Sequence, residues 1–75
     1  MREEILRIAE DYNKSVIQRV NELLEIDATM YTNLGSDSTK ADKQEVKKNS
    51  RIIYRAIKDL DFETGKLLLQ HQDGY

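Results

Sequence analysis

The chain has 75 residues, enough for one small domain, and a chain of this size buries only about 60% of the surface that it exposes when unfolded. It has no cysteine and a single histidine, His71, which excludes disulfides, thiolate metal sites and the usual structural zinc site. Charged residues make up 35% of the chain and proline is absent, a composition typical of amphipathic helices. We therefore predict one helical domain over residues 1–75, further stabilised by oligomerisation.

The first predicted helix spans residues 2–34, because apolar residues recur there at steps of three and four. Gly35 predicts its end, since glycine accepts the left-handed conformation that commonly terminates a helix. Arg19 and Asn33 interrupt the heptad pattern, which favours a bundle face over a strict coiled coil. The apolar face is also broad, and the residues that widen it are Leu6, Ile8, Ile17, Leu24 and Tyr31.

The second predicted helix spans residues 40–60, after a polar linker over residues 35–39. Thr39 and Asp42 form a pair that resembles a capping box, with aspartate in place of the usual glutamate. A short third helix over residues 62–70, bent away near Asp61, is favoured; a continuation of the second helix and a hairpin turning at Thr64 and Gly65 are the alternatives. The predicted fold is all-α: a long antiparallel hairpin plus a short C-terminal helix, completed by oligomerisation into a helical bundle.

Charge separates the two predicted helices. Residues 1–34 hold four cations and seven anions, a net charge of −3, whereas residues 40–58 hold seven cations and two anions, a net charge of +5. Six of these cations fall within about 120° of one another on a helical wheel, and we call them the basic stripe: Lys40, Lys43, Lys47, Arg51, Arg55 and Lys58. Three interpretations stay open for the stripe, namely a solvated face, a contact with an acidic subunit or protein, and a contact with nucleic-acid phosphate.

Residue clusters that carry catalysis are not evident in the sequence. Glu22 and Glu25 lie on neighbouring turns, as carboxylates do in di-metal bundles, but no histidine follows at the required spacing. His71 has no nucleophile marked by a sequence motif to act with. We therefore expect no enzymatic activity, no cofactor and no metal site.

The apolar face of the first helix is broader than one hairpin can cover, which predicts a homo-oligomer. The residues predicted to mediate self-association are Tyr12, Val16, Val20, Leu23, Leu24 and Tyr31. An acidic protein partner is predicted to bind the stripe through Lys47, Arg51, Tyr54 and Arg55. The sequence thus predicts a non-enzymatic interaction or assembly module. The alternatives are a small nucleic-acid-binding regulator, with Tyr54 available for base stacking, and a small inhibitor that docks on a larger enzyme.

A cytoplasmic location is expected, because Met1 to Glu4 lead directly into charged periodic sequence with no continuous apolar signal segment. No apolar run approaches the roughly 20 residues needed to span a bilayer, so no membrane association is predicted.

Overall fold

The computed structural model describes residues 2–72 in full and the backbone of Asp73. Four helices form this part of the chain: α1 is Arg2–Ala9, α2 is Val16–Thr32, α3 is Lys40–Leu60 and α4 is Phe62–Asp73. No strand occurs among these residues, so the predicted all-helical fold, with a hairpin followed by a C-terminal helix, is confirmed. Completion of a bundle by oligomerisation stays a prediction, and positions 1, 74 and 75 of the predicted domain lie outside the described residues.

The single helix predicted over residues 2–34 is wrong, because residues 10–15 form a turn between α1 and α2. In this turn, Oδ1 of Asp11 accepts a hydrogen bond from the backbone N–H of Asn13. Ser15 then opens α2 with a capping box: its Oγ accepts from the N–H of Gln18 at 3.1 Å, and Oε1 of Gln18 accepts from the N–H of Ser15 at 3.0 Å. Short polar side chains that bond nearby backbone groups compete with a continuous helix.

The loop between α2 and α3 matches the prediction at one end only. At the start of α3, Oγ1 of Thr39 accepts from the N–H of Asp42 at 3.1 Å, and Oδ2 of Asp42 accepts from the N–H of Thr39 at 3.0 Å. The predicted cap is therefore confirmed. At the end of α2, however, Asn33 is the capping residue in a right-handed conformation, and Gly35 does not adopt a positive φ.

Arg19 ties the end of α1 to the start of α2. Its Nη1 donates a hydrogen bond of 2.9 Å to the carbonyl oxygen of Ala9, one of the groups that a helix leaves without an intrahelical partner. The guanidinium carbon also lies 5.4 Å from the centre of the Tyr12 ring. Arg19 is only 8% exposed, so the residue that interrupts the heptad pattern holds the two helices together.

The core lies where α1 and α2 meet α3. The α3 helix is central, because each of the other three helices packs on it. It runs antiparallel to α2, so that Asp27 in the middle of α2 meets Tyr54 in the second half of α3. The buried apolar residues are Ile5, Val20, Leu23, Ile53 and Ile57, and α4 adds the half-buried Leu68.

The break between α3 and α4 falls at Asp61, as predicted. Asp61 has an extended backbone, and its Oδ2 accepts a hydrogen bond of 2.9 Å from the hydroxyl of Thr64. These features begin a new helix, so the alternatives of a continuous α3 and of a hairpin at residues 64 and 65 are wrong. The third predicted helix is confirmed with a later end, at Asp73 instead of residue 70.

The α4 helix lies antiparallel along α3 and approaches it very closely. A Cβ atom on Gly65 would lie 2.2 Å from Cα of Lys58, so the two helices touch backbone to backbone at this point. About two turns further along α4, Nε2 of Gln72 donates a hydrogen bond of 3.1 Å to the carbonyl oxygen of Lys47 on α3. These contacts place α4 directly over part of the basic stripe.

Candidate functional site

The six residues predicted for self-association do not share one surface. Val20 is 8% exposed and Leu23 is fully buried in the core of this single chain, so their inclusion in a surface is corrected. Both lie on the side of α2 that faces α3, which satisfies their apolar side chains without a second copy. Of the remaining members, Tyr12, Val16 and Tyr31 are exposed, and Leu24 is half-buried, with part of its side chain packed against the core.

An uncharged face runs along the outside of α2. Its members are spaced alternately four and three residues apart, which places them on one side of a helix. We call them the outer face of α2: Ile17, Asn21, Leu24, Ala28 and Tyr31. Ile17 is 73% exposed and Tyr31 is 44% exposed. Sequence reasoning placed Ile17 on the apolar face but left it out of the predicted site, although its seven-residue spacing from Leu24 was the available signal.

At its C-terminal end, the outer face of α2 meets a groove above α3. This α2–α4 groove has a volume of about 410 Å³ and is lined by Tyr31, Lys47, Tyr54, Leu68, His71 and Gln72. It therefore brings together Tyr31, predicted for self-association, with Lys47 and Tyr54, predicted for an acidic partner. Leu68 and His71 come from α4, whose position could not be read from the sequence.

Tyr54 is held inside this groove by Asp27. The Tyr54 hydroxyl donates a hydrogen bond of 2.6 Å to Oδ2 of Asp27. Burial, which disfavours the charged phenolate, and this hydrogen bond raise the pKa of Tyr54 to about 12. The phenol is thus neutral at physiological pH and links α2 to α3, and the half-buried ring lines the α2–α4 groove; stacking of a base on this ring stays a prediction.

The α4 helix divides the basic stripe. The backbone of Lys58 is in close contact with Gly65 of α4. Nε of Arg51 donates a hydrogen bond of 3.4 Å to Oε1 of the buried Gln72, which is also on α4. Arg55 lies away from the α2–α4 groove, beside Arg2 and Leu6 of α1. The four residues predicted to bind an acidic partner are therefore not on one surface, because the stripe is the face on which α4 packs.

A second groove separates α1 from α2 on the side away from the outer face. We call it the acidic groove; its volume is about 470 Å³ and its lining residues are Glu4, Ile8, Glu22, Glu25, Ile26, Thr29, Met30 and Asn33. Oε1 of Glu22 accepts a hydrogen bond of 2.5 Å from Nζ of Lys14, which raises the pKa of Lys14 above its ordinary value. Glu4 and Glu25 form no ion pair with another residue in the described part of the chain.

An aromatic side chain with two neighbouring cations lies at the start of α4. Phe62 is 56% exposed, and Nζ of Lys58 and of Lys66 lie 5.2 Å and 5.9 Å from the centre of its ring. Cations at these distances are attracted to an aromatic ring. We call these three residues the Phe62 patch, which sequence reasoning did not identify.

Neither groove contains a cluster of metal-binding side chains among the described residues. Among residues 2–72, no three histidine, aspartate or glutamate side chains are close enough together to hold a metal ion. Across the described helices, none is long and apolar enough to cross a membrane. Comparison with protein families, with curated proteins and with solved structures finds no match to this chain. The surfaces themselves are therefore the basis for a functional proposal.

Proposed function

We propose that the protein is a non-enzymatic interaction module that forms a homodimer through the outer face of α2. The main support is the chemistry of this face, which carries no charged residue over about four helical turns. In a chain with 35% charged residues, an exposed face of this length without charge is unusual. Depletion of charge at the centre is characteristic of protein interfaces.

The spacing of the apolar residues suits a twofold contact between two copies of α2. Leu24 is the midpoint of the face, seven residues from both Ile17 and Tyr31. In an antiparallel pair, Leu24 would meet its own equivalent and Ile17 would meet Tyr31 of the second copy, over about 21 Å. Such a self-complementary contact is the commonest arrangement in homodimers.

Charge on α2 is compatible with this pairing. Of the two anions, Glu22 lines the acidic groove away from this face, whereas Glu25 lies at the edge between the groove and the outer face, four residues after Asn21 and three before Ala28. The exposed neighbours of Leu24 on the outer face are Asn21 and Ala28, which are uncharged. The line of contact through Leu24 is therefore uncharged, and Glu25 lies at its rim, where the carboxylate can stay solvated.

Sedimentation equilibrium over a micromolar concentration range tests the proposal. The wild-type chain is expected to dimerise, and Ile17→Glu is expected to be monomeric, because it places a charge in the interface without removing a core side chain. Leu24→Glu should give the same result if circular dichroism shows that it is folded. Leu67→Glu is the control for the added charge, since Leu67 is an exposed leucine, 54% accessible, on α4 and outside the outer face of α2.

Two outcomes would overturn the proposal. One is a wild-type chain that stays monomeric at every concentration. The other is an Ile17→Glu chain that dimerises as strongly as Leu67→Glu, which would place the interface elsewhere.

Binding of an acidic partner stays a second proposal, confined to the first half of α3. A shallow depression of about 250 Å³ lies there, lined by Gln44, Lys47, Lys48 and Arg51. A labelled peptide of alternating glutamate and leucine and a labelled single-stranded oligonucleotide distinguish a protein partner from nucleic acid by fluorescence anisotropy. Lys48→Glu should weaken binding of the peptide more than Lys40→Glu, and a stronger response to the oligonucleotide would favour the regulator alternative.

A further inference from the structure

The acidic groove and the Phe62 patch have complementary chemistry. The floor of the groove is apolar, with the half-buried Ile8, Ile26 and Met30, and its rim carries the carboxylates of Glu4, Glu22 and Glu25. The patch is an exposed aromatic ring with two ammonium groups within about 6 Å of its centre. An apolar centre flanked by cations thus matches an apolar floor flanked by anions.

The dimensions of the two surfaces also agree. From Glu22 to Asn33, the groove follows α2 for eleven residues, or about 17 Å. Nζ of Lys58 and Nζ of Lys66 lie 5.2 Å and 5.9 Å from the centre of the Phe62 ring, so the separation of the two amines is no greater than these two distances combined and is shorter than the groove. A groove of this length accepts the ring together with both cations.

We infer that the Phe62 patch of one copy binds in the acidic groove of a second copy. Glu4 and Glu25 have no ion pair within the described part of their own chain, so they are the carboxylates that the two lysines would meet. The lysine-rich first half of α3 is a poorer occupant, because Lys40, Lys43 and Lys48 have no large exposed apolar side chain beside them on α3. Lys47 lies beside Tyr31 and Leu68, but these side chains line the α2–α4 groove and do not project as a knob.

The contact is head-to-tail, because the patch and the groove are different surfaces of the chain. A head-to-tail contact forms a ring if the rotation closes and an open chain if it does not. This inference rests on the proposed function, since it adds a second interface to the same assembly and turns dimers into larger particles. Because the contact is rich in charge, its strength should fall with added salt.

Charge reversal with complementation tests the contact. One variant carries Glu4→Lys and Glu25→Lys, so that its groove and its patch are both cationic. The other carries Lys58→Glu and Lys66→Glu, so that both surfaces are anionic. Each variant alone should lose the species larger than a dimer in sedimentation velocity, whereas an equimolar mixture should recover them, because every groove then meets a patch of opposite charge.

Controls separate this contact from a general effect of charge and from loss of the fold. Lys43→Glu with Lys48→Glu reverses two exposed cations of α3 away from the patch and should leave the larger species intact. Since Lys58 is half-buried, the single variants Lys66→Glu and Glu25→Lys, both at exposed positions, repeat the comparison with less risk to the fold. Phe62→Ala should also reduce the larger species, because it removes the apolar anchor.

The outcomes for the two interfaces are distinguishable. A wild-type chain that stops at the dimer overturns the head-to-tail contact and leaves the α2 dimer standing. Larger species that persist in the Ile17→Glu background, and disappear with salt, support the head-to-tail contact even where the α2 dimer has failed. Failure of the mixture to recover larger species, or equal losses in the α3 control, would overturn the inference.

Discussion

The hydroxyl of Tyr54 donates a hydrogen bond of 2.6 Å to Oδ2 of Asp27, a residue 27 positions earlier in the chain. This bond joins the middle of α2 to α3 beside the α2–α4 groove. Asp27 is only 8% exposed, and its other carboxylate oxygen has no hydrogen-bond partner among the described residues. The Tyr54 hydroxyl is therefore the main compensation for burying this carboxylate.

Tyr54→Phe is expected to destabilise the protein by about 1–3 kcal/mol, because Asp27 loses its partner and stays buried. Urea unfolding measures the change, and an unaltered m-value would show that the native state is otherwise intact. Tyr31→Phe is the control: Tyr31 is 44% exposed on α2, so its variant should unfold close to the wild-type midpoint. Equal effects at the two positions would contradict this role for Tyr54.

The contribution of Tyr54 to stability should disappear at high pH. The pKa of Tyr54 is raised to about 12 in the folded chain, from an ordinary value of 10.0, so the folded state holds the proton more tightly than the unfolded state. The difference in unfolding free energy between wild type and Tyr54→Phe should be constant below pH 10 and should shrink as the pH rises through 12. A difference that grows over this range would contradict the raised pKa, because it would mean that the folded chain holds the Tyr54 proton less tightly than the unfolded chain.

Gly65→Ala is expected to destabilise the protein by about 1–3 kcal/mol, because the new methyl group would overlap the backbone of Lys58. The sign of this change is informative. In an exposed helix the same substitution would stabilise by about 1 kcal/mol, since alanine has the higher helix propensity. Thermal unfolding measures the effect, with Gln70→Ala at an exposed position of α4 as the control, and a stabilised Gly65→Ala chain would show that α4 does not pack on α3 as described.

Arg19→Met is expected to loosen α1, because the carbonyl of Ala9 loses a charged donor at 2.9 Å. A hydrogen bond from a charged group contributes about 1.5–3 kcal/mol, and the loss should appear first as faster amide hydrogen exchange in α1. Arg7→Met, at an exposed position of α1, removes a similar charge without this contact. If the amides of α1 are equally protected from hydrogen exchange in both variants, Arg19 is not the residue that holds α1 to α2.

Local sequence signals predicted α3 and the start of α4 well. Thr39 and Asp42 carry their capping information within four residues, and Asp61 with Thr64 does the same at the next junction. Such bonds form between near neighbours, so the sequence alone contains them. The Ser15 and Gln18 pair at the start of α2 is an equally local signal. The apolar spacing, however, runs through residues 10–15 without interruption, and this periodicity predicts one continuous helix in place of the turn.

The functional surfaces were harder to predict, because they depend on where α4 lies. The basic stripe has the pattern of a solvated helix face, and nothing near Lys58 or Arg51 in the sequence indicates that another helix covers them. The contact between Gly65 and Lys58 and the hydrogen bond from Gln72 to Lys47 fix that position, and both join residues of two different helices on either side of the break at Asp61. Val20 and Leu23 were similarly indistinguishable from Leu24, because an apolar residue on a broad face has the same sequence signature whether it faces its own core or a second copy.

The absence of a side chain at position 65 also determines the surface chemistry at position 62. Since α4 rests on the backbone of Lys58, the side chain of that lysine has no room beneath the helix and extends to one side, where its amine reaches the Phe62 ring. A single hydrogen atom in place of a methyl group at residue 65 thus lets the Lys58 amine reach the Phe62 ring. A larger residue there would push α4 away from the backbone of Lys58, so the position of this aromatic ring relative to its two cations depends on a residue that has no side chain.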